Sequence, residues 1–111
     1  MTDKPMAWEL YLFTENDGTL YRQQAQPIIR NLAIKKIKGV YETDKALILW
    51  RHLVDSGIQK YKKEFPGYYN IDVGTKKLAA QYLANGYREE LAIVVRKLKA
   101  LKKAGKAWQR A

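Results

Sequence analysis

The last third of the chain sets the terms on which the rest can fold. From Thr75 to Ala111, Ala80, Ala84, Tyr87, Leu91, Val94, Leu98, Leu101, Gly105 and Trp108 recur at alternating steps of four and three. That heptad spacing predicts a long helix over about 75–108 with one apolar edge along nearly its whole length. Asn85–Gly86 marks the point where it bends or divides, because Gly weakens a helix interior. From Arg96 onward there are seven basic residues and no acid. At 100° per residue, Arg96, Lys99, Lys102, Lys103, Lys106 and Arg110 fall within an arc of roughly 120° away from the seam, and only Lys97 lies off it. The helix is thus expected to offer an apolar edge to protein and a cationic edge, about 21 Å long, to something negative.

The elements before it are shorter. Trp8–Glu9–Leu10–Tyr11–Leu12–Phe13 alternates, Glu15–Asn16–Asp17–Gly18 has turn chemistry, and Leu20–Tyr21–Arg22 reads as a returning strand. A β-hairpin over about 7–24 is therefore expected, lying against helices because two strands alone are marginal in water. Pro27 opens a helix over 27–38 with Ile28, Ile29, Leu32, Ala33 and Ile37 on its apolar face. Gly39 is placed to end it in the left-handed conformation, with Val40 making the accompanying apolar contact. Lys35, Lys36 and Lys38 suit the negative end of that helix. Thr43 or Asp44 is positioned to cap a helix over 44–64, whose apolar arc includes Trp50, Leu53, Val54 and Ile58. Gly57 falls inside that arc, where close approach of another backbone would compensate its cost. Phe65–Pro66–Gly67 stops this helix, and Thr75 caps the last. The expected class is mainly α with a small β-hairpin (α+β), the hairpin packed on three helices in one domain.

Charge narrows the function. The net charge is +10, yet residues 1–25 carry a net −2 and residues 96–111 carry +7. Polarised charge of this kind marks a face for nucleic acid, anionic lipid or an acidic protein. The 47% hydrophobic content favours a folded chain, and the absence of cysteine removes disulfides, thiolate metal sites and thiol nucleophiles. The start of the chain does not read as a signal peptide, and no stretch approaches the roughly 18 apolar residues of a membrane span. Catalytic chemistry has little to draw on. His52 is the only histidine, Ser56 lies within a helix, and Glu89–Glu90 point about 100° apart. No spacing suits a metal or a phosphate-binding loop. A protein that is not an enzyme, with no cofactor and no metal, is expected.

Nucleic acid, DNA or RNA, is the partner these features favour, held through the basic edge with weak sequence selectivity. Tyr68 and Tyr69, flanked by Lys60, Lys62, Lys63, Lys76 and Lys77, are candidates to stack on bases. A helix-turn-helix reading of 27–64 is weak, since its second helix is too long. The rival class is an interaction module in which Leu91, Val94, Leu98, Leu101 and Trp108 meet a second copy of the chain or a host protein. Membrane-surface binding by the same helix ranks below both, with Trp108 its one interfacial aromatic.

One stretch carries a likeness. Asn31–Leu32, Lys35–Lys36, Gly39–Val40–Tyr41, Asp44, Ala46, Leu49–Trp50, Leu53–Val54–Asp55–Ser56–Gly57 and Tyr61–Lys62–Lys63–Glu64–Phe65 together resemble small, functionally uncharacterised proteins encoded in bacteriophage genomes. The resemblance covers about a third of the chain and brings no catalytic or binding residues with it. It implies a setting: a phage or phage-derived protein acting in the cytoplasm of a bacterial host.

Overall fold

A computed structural model describes residues 5–67 and 69–109, and among these the chain forms five helices and no strand. The first, α1, spans Ala7–Glu15. The second, α2, opens with the turn Gly18–Leu20, widens into a π segment at Tyr21–Ala25 and continues as Gln26–Lys38. Then come α3 (Thr43–Glu64), α4 (Val73–Gly86) and α5 (Arg88–Lys103).

The expected hairpin at 7–24 is therefore replaced by helix, and the α+β class with it. Alternation in Trp8–Phe13 misleads because apolar type alone does not fix the period of burial over so short a run. Burial instead follows Ala7, Leu10, Tyr11 and Thr14, which is helical spacing, while Trp8 and Leu12 remain exposed. Nor does Asn16–Asp17–Gly18 reverse a strand, for none of the three has positive φ. Asp17 caps α2: its carboxylate accepts from the Leu20 N–H at 2.8 Å and from Lys60 Nζ at 2.9 Å. Asx side chains serve turns and helix caps equally well, so the same residues fit either reading.

Other ends need smaller corrections. Glu42, without a side-chain cap, precedes α3 in place of Thr43 or Asp44. Asp72 caps α4 and Thr75 is the recipient, its N–H donating to Asp72 Oδ1 at 2.7 Å. Gly39 closes α2 in the left-handed region at φ 74°, as expected, though Val40 stays exposed. The helix expected over 75–108 divides at Tyr87, just after Asn85–Gly86, and ends at Lys103.

Packing separates a body from an arm. The body is α1, α3 and α4, which cross closely. A Cβ built on Gly57 would stand 2.0 Å from the Thr14 hydroxyl oxygen of α1, so the close neighbour is a side chain and not backbone. The arm is α2 with α5, which packs far more on α2 than on any other helix. The two run in the same direction: Tyr21 donates to Glu90 near their starts, and Arg30 shares a groove with Lys97 two turns on. Body and arm share one core, joined where Tyr87 stacks between Trp50 of α3 (5.3 Å) and Tyr21 of α2 (6.1 Å). The result is elongated, 58 × 25 × 17 Å. Its radius of gyration is 15.7 Å, against about 13 Å for a compact domain of this length.

Candidate nucleic-acid interface

The apolar seam decides where the charge goes. Leu91 and Leu98 are buried, and Val94, Leu101 and Trp108 are half-buried against the same core as Ile29, Leu32 and Ala33 of α2. What covers the seam is the chain's own second helix. Its other side therefore faces outward, and Arg96, Lys97, Lys99, Lys102 and Lys103 are all exposed.

The basic edge is shorter than expected and continues off the helix. Gly105 takes φ 72°, and the Lys106 N–H returns to the Leu101 carbonyl at 2.9 Å, a left-handed stop that ends α5. On the helix the edge runs from Arg96 to Lys103, about 11 Å. Lys106 follows in the tail, exposed, and Arg110 lies outside the described residues. The tail turns back along the arm. Lys102 Nζ lies 5.4 Å from the centre of the Trp108 ring, and Arg30 Nη2 donates to the Gln109 carbonyl at 3.4 Å.

What the tail loses, α2 supplies. Because α2 and α5 run the same way, their lysine-rich ends gather at the same end of the molecule. Residues 26–40 hold Arg30, Lys35, Lys36 and Lys38, and residues 91–109 hold Arg96, Lys97, Lys99, Lys102, Lys103 and Lys106; neither stretch contains an acid. These ten cations equal the whole net charge of +10, so the remaining eleven Lys and Arg are matched by eleven Asp and Glu. Among the described residues the ion pairs are Lys45–Glu42, Lys60–Asp17 and Lys76–Asp55, and none involves an arm cation. Two arm lysines rest over aromatic rings instead: Lys102 on Trp108, and Lys36 4.5 Å from the centre of Tyr41. Sequence reasoning missed the α2 contribution, since Lys35, Lys36 and Lys38 suit a helix end on their own account. The available signal was the absence of acids from 26–40.

The tyrosine candidates fare differently. Tyr69 is buried, its hydroxyl donating to the Phe65 carbonyl at 2.7 Å and its ring edge-on to Tyr61, so it closes the body's core and offers no face to a base. Tyr68 lies outside the described residues. Of the residues weighed for catalysis, His52 is exposed, Ser56 donates to Gln24 Oε1 at 3.0 Å, and Glu90 accepts from Tyr21. Glu90 in turn raises the Tyr21 pKa by favouring the protonated phenol, with burial adding to it. Among the described residues no three His, Cys, Asp or Glu gather as metal ligands, and no helix is long and apolar enough to cross a membrane.

Compared with known proteins, the chain matches no family model, no curated protein and no solved structure.

Proposed function

We propose that this protein binds nucleic acid through the α2–α5 arm, in the bacterial, phage-related setting that the resemblance of residues 31–65 implies. The observation that carries this reading is the partition of charge: residues 26–40 and 91–109, which make up most of the arm and its tail, hold ten cations and no acid, against a balanced remainder. Charges left without acidic partners on an elongated surface are electrostatically costly to gather and strongly attract a polyanion. Phosphate neutralisation supplies most of the affinity in such binding and carries no sequence information of its own. The protein acts here by binding, without a catalytic step.

The test is direct titration of labelled duplex and single-stranded oligonucleotides with the full chain, followed by fluorescence anisotropy. Binding at low salt that weakens steeply as salt rises is the expected result. Absence of binding to either at low salt would remove the reading.

A further inference from the structure

The polar face of α2 differs in kind from the rest of the arm. Arg22, Gln26, Arg30 and Asn31, with Pro27 and Ile34 among them, line one shallow surface built from α2 alone. Arg22, Gln26, Pro27 and Asn31 are exposed and Arg30 half-exposed. No lysine occurs on this stretch before Lys35. Arg is suited to guanine O6 and N7, Gln and Asn to adenine N6 and N7, and an apolar side chain such as Ile34 to the thymine methyl. The α5 lysines are point charges without that paired geometry.

Spacing and charge point the same way. Arg22 to Asn31 rises about 14 Å along the helix, roughly four base-pair steps of a duplex. Lys97 of α5 lies across a groove from Arg30, and Lys35 and Lys38 follow on α2, so cations flank the face where phosphates would run. Single-strand recognition relies on free aromatic faces, whereas the arm's Tyr21 is stacked on Tyr87, and Tyr41 and Trp108 lie beneath lysines. A-form RNA has a major groove too narrow for side chains to read, whereas that of B-DNA admits a helix.

We infer that α2 enters the major groove of duplex DNA and reads base edges with Arg22, Gln26, Arg30 and Asn31, while lysines of α2 and α5 hold the phosphates. This rests on the nucleic-acid reading above and replaces its expected weak selectivity with recognition of a short site.

The experiment is selection by the full chain from a randomised DNA duplex pool of about 20 base pairs, followed by anisotropy on the selected and scrambled duplexes. A short enriched site containing guanine and adenine, preferred by about tenfold or more, is expected. Arg30→Lys keeps the charge and Asn31→Ala leaves it unaltered. Each should reduce that preference while leaving affinity for the scrambled duplex within about twofold, with helical circular dichroism unchanged. Binding without enrichment, equal binding to single strands or duplex RNA, or variants that weaken every sequence alike would overturn the inference and leave electrostatic binding standing. No binding to any nucleic acid at low salt would overturn both.

Discussion

Asp17 holds the junction between α1 and α2 by two contacts, the Leu20 N–H and Lys60 Nζ. The Leu20 hydrogen bond first, and Lys60 after it, hold its carboxyl below the ordinary pKa. Removing this cap with Asp17→Ala should cost about 1 kcal/mol at neutral pH. A carboxyl with a depressed folded pKa stabilises above its unfolded pKa and loses that contribution as pH falls through the folded value. The gap between wild type and Asp17→Ala in urea denaturation should therefore narrow as pH falls from 7 to about 2; a constant gap would contradict the assignment. Gly57 makes a second claim at this scale. Gly57→Ala should destabilise by about 1–3 kcal/mol, because its methyl group must displace the Thr14 side chain; a neutral result in the same assay would count against the close crossing. Gly57 was legible as a place of close approach, since a glycine inside an apolar arc needs a reason. Its partner was not, because Thr14 sits beside the Asn16–Gly18 stretch that reads as a turn.

At the scale of elements, the seam of α5 is where sequence and structure agree most closely. Heptad spacing picks out Leu91, Val94, Leu98 and Leu101, and these are the residues that α5 turns inward. Periodicity states that an edge is covered but not by what, so the seam reads on paper as a surface for a second copy or a host protein, whereas α2 packs along it. Leu98→Ala should cost about 2–5 kcal/mol in chemical denaturation, as expected for a truncated core leucine, with no change of mass in solution. A halved mass with stability preserved would mean that the seam joins two chains. The α1 error has the opposite origin. Exposed Trp8 and Leu12 imitate a strand's inward face, and only packing reveals that Tyr11 and Thr14 are buried together with Ala7 and Leu10. The break at Tyr87 was legible from Asn85–Gly86. The direction it gives α5, parallel to α2, was not, because it depends on how Tyr87 seats between Trp50 and Tyr21.

Across the whole molecule, four phenols are held in their neutral form above the ordinary pKa of 10.0. Tyr11 is pushed to about 12, first by its hydrogen bond with Glu15 and then by burial. The Glu90 hydrogen bond raises Tyr21, and burial leads for Tyr61 and Tyr87. A raised folded pKa contributes stability below the unfolded value and loses it as pH climbs through the folded one. Thermal stability should thus fall above about pH 10, together with the rise of tyrosinate absorbance; ionisation of all eight tyrosines near pH 10 without unfolding would contradict this. The same scale holds the central claim, that the ten cations of residues 26–40 and 91–109 form one polyanion-binding surface. Salt dependence tests it most directly, comparing the wild type with Lys102→Gln/Lys106→Gln on labelled duplex DNA at several salt concentrations. If both lysines meet phosphates, the slope of log K against log salt should shrink in magnitude by about 1.8. A control, Lys45→Gln/Lys63→Gln in the body, should leave it unchanged. A slope altered equally by both pairs, or by neither, would contradict the account.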